Sequence, residues 1–217
     1  SSVGGATPAF TNTLSTTFDG IDDYVNCGDL SVLSGATEIS VSLWFYATST
    51  SNMLMLDLKD GTSRIAIQRR DQTKIYLYIN GVSGLFPIST VNNTWYNLSY
   101  VFNGSGATNS DKLKLYINGI DVTATSYSST VPTSLGVLTS SMSSVLGGLY
   151  NGTFTFKGNI DEVSLFNTEL SASNVTSIYN SGTPTDISAM SGLVSWWRMG
   201  DGDTYPTITD NAGSNDG

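Results

Sequence analysis

The stretch Glu38–Tyr46, EISVSLWFY, decides the fold class, because its apolar residues recur with a period of two. One face of this stretch carries four apolar side chains, Ile39, Val41, Leu43 and Phe45. The other face carries Ser40, Ser42, Trp44 and Tyr46. Alternation of this kind is typical of a β-strand with one face in a core.

The same signal recurs on both sides of this stretch. Further runs are Met53–Leu58, Arg64–Gln68, Lys74–Asn80, Thr94–Phe102, Lys112–Asn118, Ser144–Gly148 and Thr153–Phe166. The segments YLYING and KLYING end in Asn80-Gly81 and Asn118-Gly119, and Asn-Gly is the strongest short hairpin signal. The sequence therefore predicts an all-β fold, an antiparallel β-sandwich of two sheets.

One short helix is expected near the C-terminus, over Asn174–Asn180, with Ser171 as its N-cap. The run LVSWWRM, Leu193–Met199, then indicates another strand. It either begins a following repeat or folds back on the sandwich. We favour folding back, because Trp196 and Trp197 would otherwise be exposed.

The composition limits the possible partners. Of the 217 residues, 12% are charged, and nine Lys and Arg against eighteen Asp and Glu give a net charge of −9. An acidic chain repels phosphate, so nucleic acid is not expected as a partner. The sequence has no apolar run of about 18 residues, which argues against membrane insertion. The lone Cys27 cannot form an intrachain disulfide and is expected to pack in the core.

Three ordered motifs carry a family resemblance. These are FDGIDDYV at Phe18–Val25, the alternating strand around Trp44, and GNIDEVSLFN at Gly158–Asn167, followed by TELSASNVTSIYN. The chain resembles the laminin G-like family of the concanavalin A-like lectin/glucanase superfamily over roughly residues 14–182. The resemblance implies a jelly-roll sandwich.

The C-terminal segment departs from the usual order of this family. LVSWWRMGDGDTYPTITDNAGSNDG resembles a segment that normally precedes the FDG element, and such tails are similar to those of marine phage and bacterial surface proteins. We expect an N-terminal arm or linker over residues 1–13, the sandwich over 14–199 and a surface tail over 200–217. The resemblance favours an extracellular, cell-surface or virion-surface location.

A structural calcium is expected at the acidic motifs. Ca²⁺ takes six to eight oxygen ligands from carboxylates and carbonyls, and the resemblance implies an ion between the opening and closing segments. The predicted ligands are Asp19, the Gly20 carbonyl and Asp161, with Asp22, Asp23 and Glu162 as weaker candidates. The alternative is that these side chains cap turns by accepting backbone N–H groups. A second acidic group, Asp201, Asp203 and Asp210 with Asn211, leaves the same two possibilities.

Sugar recognition uses flat aromatic rings beside hydrogen-bonding groups. Tyr76, Tyr78, Tyr116 and Tyr150 are candidate platforms, and Asn151 is a candidate hydrogen-bonding side chain in a loop. Trp44, Tyr46 and Asn103 are further candidates on strand faces or in loops. Such residues more often belong to a core, and the sequence does not choose among them.

Catalysis is disfavoured. The chain has no histidine, which excludes Ser-His-Asp and Cys-His sites, and the E-x-D-x-x-E strand of the related glucanases is missing. The sequence predicts a non-catalytic binding or adhesion module that recognises a glycan or cell-surface polysaccharide. The alternative is a structural virion or cell-surface protein, a decoration, fibre or assembly domain, whose partner is a neighbouring protein.

Overall fold

The alternating run at Glu38–Tyr46 forms the third strand of one of two antiparallel sheets. In the computed structural model, residues 10–149 and 151–217 are described. Their strands are β1 Thr16–Asp19, β2 Val25–Asn26, β3 Glu38–Ala47, β4 Met53–Asp60, β5 Ser63–Asp71, β6 Lys74–Ile79, β7 Val82–Pro87, β8 Trp95–Asn103, β9 Leu113–Ile117, β10 Ile120–Val122, β11 Ser126–Tyr127, β12 Ser143–Leu146, β13 Lys157–Phe166 and β14 Leu193–Trp197. The helices are α1 Asn109–Lys112 and α2 Ala172–Tyr179, with 3₁₀ turns at Ser31–Leu33 and Asn180–Gly182.

The two sheets confirm the predicted sandwich. Sheet A has the order β1-β13-β3-β8-β9-β10, and β14 also pairs with β13. Sheet B has the order β11-β7-β6-β5-β4-β12-β2. The inner faces bury one large apolar cluster, which includes Phe18, Cys27, Leu43, Phe45, Leu77, Phe102 and Trp197. Cys27 is fully buried there, as predicted, and burial raises the pKa of its thiol.

The two Asn-Gly turns form as predicted. Asn80 and Gly81 both have positive φ between β6 and β7, and Asn118 and Gly119 do so between β9 and β10. Two successive residues with positive φ suit the right-handed twist of a tight hairpin, and few residue types other than Asn and Gly adopt them readily.

The helix and the last strand also lie where the sequence predicts them. Ser171 caps α2: its side chain accepts a hydrogen bond from the Asn174 backbone N–H, and the Asn174 side chain accepts one from the Ser171 backbone N–H. β14 pairs antiparallel with β13, so Trp196 and Trp197 fold back onto their own sheet and are buried. None of the helices in the described ranges is long and apolar enough to cross a membrane.

A second apolar cluster lies on the outer face of sheet A, beneath α2 and the loop that follows it. Its members are Val101, Tyr116, Phe166, Leu170, Val175, Ile178, Ile187 and Trp196. This cover extends over only part of the outer face, and the uncovered part holds one of the two candidate sites.

Candidate functional site

A cavity of about 290 Å³ opens on the outer face of sheet A beside α2. Trp44 from β3 and Trp95 from β8 line it, together with Asp161 from β13, residues 12–15, Gly182 and Pro184. Trp44 is directly opposite Asp161 in the β3–β13 register. Trp95 pairs with Tyr46 on the same face, so the alternation of three neighbouring strands brings these side chains together.

A bulge in β13 turns two successive carboxylates outward. The β13–β3 register shifts between Asp161 and Ser164, and Glu162 has a φ of 47°. Bulges with left-handed residues often stand beside functional sites and redirect side chains. The Asn12 amide donates to Asp161 Oδ2 at 3.0 Å and to Glu162 Oε1 at 2.7 Å, which confirms that both carboxylates face the same side.

The two carboxylates have different partners. Glu162 accepts from Trp196 Nε1 at 2.6 Å and pairs with Arg198 Nε at 3.2 Å. Asp161 forms no ion pair with a described residue. Burial, followed by the repulsion of Glu162 and Asp201, raises the pKa of Asp161 to about 7, although the Asn12 amide acts against this.

The outer face of sheet B carries the second candidate site. The Tyr76 and Tyr78 rings are stacked with their centroids 6.2 Å apart and their planes at 27°. Tyr78 donates to Gln68 Oε1 at 2.7 Å, and the Arg64 guanidinium lies 5.2 Å from the Tyr78 ring centroid. Arg64 also pairs with the buried Asp57 at 2.5 Å.

Positive charge surrounds these tyrosines. Lys74 alternates with Tyr76 and Tyr78 along β6 and is exposed. Arg70 on β5 is also exposed, and its charge acts with that of Arg64 to lower the pKa of Tyr78 against the larger effect of burial, which raises it. The face therefore combines half-buried aromatic rings with cations and an amide.

The other predicted ligand residues occupy different places. Tyr116 is 6% exposed because it lies in the cluster beneath α2, so its proposed role as a sugar platform is wrong. Tyr150 lies outside the described residues. Asn151 is exposed, and its Oδ1 accepts from the backbone and hydroxyl of Thr153. Asn103 is bound to Glu169 and Ser105 rather than free in a loop.

The predicted calcium ligands are only partly brought together. Carboxylate oxygens of Asp19, Asp22 and Asp23 lie within 4.8 Å of one another, and the three residues are exposed. Asp19 pairs with Lys157 in the β1–β13 register, so Asp161 lies four residues further along β13. At about 3.3 Å a residue that is roughly 13 Å away. The structure therefore separates Asp161 and Glu162 from the acidic loop.

The tail carboxylates accept backbone N–H groups. Asp201 binds the N–H groups of Thr13 and Leu14, and Asp210 binds those of Trp196, Gly213 and others. Burial raises the pKa of both carboxyls, but these donors outweigh it and leave both below the ordinary value. The turn-capping alternative thus describes this group. Asn12 and Asp210 both bond to residues of the paired strands β13 and β14.

Sequence reasoning missed the cavity itself. Trp44 was a candidate, but Trp95 and Asn12 were not. The alternation in β8 assigns Trp95 to the outer face, but only the pairing of β8 with β3 brings it beside Trp44. Asn12 lies in a segment without a periodic signal, so nothing in the sequence connects it with Asp161.

A family model described as the concanavalin A-like lectin/glucanases superfamily matches residues 19–176, which is well over half of the chain. The match contains the acidic residues of FDGIDDYV and GNIDEVSLFN and all the strands of sheet B. No curated protein sequence matches the chain significantly.

Solved structures with similar folds include the following three bacterial proteins. A Bacteroides ovatus protein assigned as carbohydrate binding has a TM-score of 0.69 at 13% identity, over 93% of this chain and 56% of that one. Domain 4 of the extracellular arabinanase AbnA from Geobacillus stearothermophilus, in complex with arabinotriose, has a TM-score of 0.57 at 18% identity. The match covers 81% of this chain and 82% of that one. The Ruminococcus gnavus IT-sialidase CBM40, bound to α2,3 sialyllactose, has a TM-score of 0.56 at 12% identity. The match covers 79% of this chain and 99% of that one. At these identities the likeness shows the fold alone.

Proposed function

The chain belongs to the concanavalin A-like lectin/glucanases superfamily, and from this premise we propose that it is a non-catalytic carbohydrate-binding module that acts outside the cell. The names of the similar structures support this, since one is assigned as carbohydrate binding and two were solved with oligosaccharides. The absence of histidine from the sequence supports a binding role over acyl-transfer catalysis.

The stacked Tyr76–Tyr78 pair on sheet B is the observation that carries the proposal. A sugar ring packs its C–H face on an aromatic ring, and neighbouring amides and charged groups bind its hydroxyls. Gln68 and Arg64 stand beside Tyr78 in this arrangement. The face is rigid, because all of these side chains project from paired strands of one sheet.

The charge of this face favours an acidic glycan. Asp57 neutralises Arg64, and Asp71 lies opposite Lys74 in the β5–β6 register. The exposed Arg70 adds a third cation, so these residues carry three positive charges against two carboxylates. In a chain of net charge −9, a local excess of cations favours a ligand that carries carboxylate or sulfate groups. We therefore assign the site to an acidic polysaccharide, bound across Tyr76 and Tyr78.

A polysaccharide and glycan array, followed by calorimetry on the best ligand, tests this function. We expect acidic glycans to bind, affinity to fall with added salt, and Tyr76→Ala with Tyr78→Ala to weaken binding about tenfold or more. The matched control is Tyr205→Ala, which removes a tyrosine that is 96% exposed in the tail. Failure of every glycan to bind, with and without calcium, would sink the proposal.

We also propose that the loop of Asp19, Asp22 and Asp23 holds a structural calcium. The donor set fits, because the three carboxylates converge and the Gly20 carbonyl belongs to the same loop. Asp19 and Asp23 each use one oxygen to accept a loop backbone N–H, while Asp22 accepts no hydrogen bond from the described residues. A calcium here would join the carboxylates and stabilise the fold without taking part in chemistry.

The alternative of a structural protein with a neighbouring protein as its partner remains a prediction. Light scattering on the purified chain tests it, since a stable oligomer is expected if the sandwich is an assembly domain. A monodisperse monomer would count against that role and would leave glycan binding as the simpler function.

A further inference from the structure

Asp161 is a buried carboxylate that has no counter-charge among the described residues. It is 4% exposed, and all nine Lys and Arg residues of the chain lie within the described ranges. The ion pairs that these residues form with carboxylates use Asp57, Glu169 and Glu162, and none of them uses Asp161. A buried carboxylate normally has a cation or a metal beside it, because leaving it unpaired is costly.

The surroundings of Asp161 add negative charge instead. Glu162 is balanced by Arg198, but the nearby Asp201 adds a further negative charge that raises the pKa of Asp161. The Asn12 amide and the Glu162 N–H satisfy one hydrogen bond on each Asp161 oxygen, and both donors are uncharged. The cavity next to Asp161 is therefore an acidic pocket to which the described part of the chain contributes no cation.

Tryptophan walls determine which cation fits. Trp44 stacks on Tyr179 with ring centroids 5.9 Å apart, and Trp95 is 39% exposed. Both indoles line the cavity together with Asp161. A desolvated ammonium group gains most from tryptophan faces together with a carboxylate. Among the described residues, the carboxylates that converge as a group of three are those of Asp19, Asp22 and Asp23, and no such group surrounds Asp161.

We propose that this cavity on sheet A binds an organic ammonium group, carried on a unit no larger than a monosaccharide. Its volume of about 290 Å³ is at the lower end of small-molecule sites and suits a group of that size. Asp161 pairs with the ammonium nitrogen, and Trp44 and Trp95 contact the carbons attached to it. The two sources of such a group are an amino sugar and a choline-like headgroup.

Calorimetric titration of the whole chain with tetramethylammonium, choline, glucosamine and glucose tests the proposal. Binding of glucosamine alone would identify an amino sugar, and binding of all three cations would identify the ammonium group in general. Glucose, which matches glucosamine but lacks the charge, is expected to bind at least about tenfold more weakly. Equal binding of glucose and glucosamine, or binding of none of the three cations, would overturn the proposal.

Variants test where the cation binds. Asp161→Asn keeps the shape of the side chain and is expected to weaken cation binding about tenfold, and Trp95→Ala about as much. Asp121→Asn is the matched control, since it removes an exposed charge on β10 outside the cavity. Unchanged affinity in both Asp161→Asn and Trp95→Ala would refute the site. Should Asp161→Asn fail to fold, the partly exposed Trp95 and the glucose comparison decide the question.

This site is independent of the glycan site on sheet B. Asp161→Asn is expected to leave binding of acidic glycans at wild-type affinity, and Tyr76→Ala is expected to leave cation binding unchanged. Loss of one activity without the other therefore separates failure of this inference from failure of the proposed function.

Discussion

The outer faces of the two sheets differ in cover and in charge. Sheet B is open along Tyr76 and Tyr78, and Asp57, a buried carboxylate of this sheet, pairs with Arg64. Sheet A is partly covered by α2, and its uncovered part holds Asp161, which forms no ion pair with the described residues. One sandwich thus presents a cationic open face and an acidic cavity, a difference that the net charge of −9 conceals.

The largest expected effect on stability concerns the apolar cluster between α2 and the outer face of sheet A. Trp196→Ala removes a side chain that is 4% exposed, packs in the cluster beneath α2 and donates to Glu162. We expect it to lower the free energy of unfolding by about 3–5 kcal/mol, because it leaves a large cavity and an unpaired acceptor. Urea or guanidinium titration followed by fluorescence or circular dichroism measures the change.

Tyr78→Ala is the matched change on the open face of sheet B. It removes a half-buried ring and is expected to cost about 1 kcal/mol, since water already reaches one side of it. Equal losses for the two variants would break the comparison, because they would mean that α2 does not make the outer face of sheet A into a second core.

The next effect concerns the unpaired carboxylate. The folded-state pKa of Asp161 is about 7 against an ordinary value of 3.8, so the folded chain holds a proton that the unfolded chain has lost between these values. The free energy of unfolding is therefore expected to fall as pH rises from about 4 to about 7, by up to about 4 kcal/mol. The raised pKa of Glu162 acts in the same direction, and Arg198 opposes it.

Asp161→Asn separates this effect from other titrations. The variant carries no titrating group at that position, so it should be more stable than the wild type above about pH 7 and show a flatter profile below it. Asp201 and Asp210 have lowered pKa values, so their protonation reduces stability only at a pH near or below the ordinary pKa of an Asp side chain. The wild type and Asp161→Asn should lose stability equally there. A wild-type profile that rises between pH 4 and 7 would contradict the buried, unpaired state of Asp161.

The sequence predicted the parts of this comparison that depend on local signals. The alternation in Glu38–Tyr46, the Asn-Gly turns and the Ser171 cap each follow from a few neighbouring residues, and all three form as expected. The placement of Tyr76 and Tyr78 on one face follows in the same way, because residues two apart on a strand point to the same side of the sheet.

The parts that depend on pairing between distant strands were not predictable. Tyr116 lies on a regular strand, and only the packing of α2 decides that it is buried. Asp161 and Asp19 belong to strands that do pair, but the register sets them four residues apart. The bulge at Glu162 directs both carboxylates toward Asn12, and nothing in the sequence GNIDEV indicates it.

The smallest effect concerns the link between the two faces. The acidic loop follows β1 in sheet A and leads to β2 in sheet B, so an ion bound there ties the sheets together. We expect saturating calcium to raise the free energy of unfolding by about 1–3 kcal/mol, by the mass action of a ligand that binds only the folded chain. Denaturant titration in calcium and in a chelator measures it.

Asp22→Asn is the sharpest test of that link. The Asp22 carboxylate accepts no hydrogen bond from the described residues, so its replacement should leave the calcium-free chain as stable as the wild type while reducing the gain from calcium. Asp161→Asn should keep the full gain, because the register places Asp161 away from the loop. If Asp161→Asn abolished the calcium effect and Asp22→Asn did not, the ion would belong to the cavity on sheet A, and the acidic loop would be no more than a turn held by its own carboxylates.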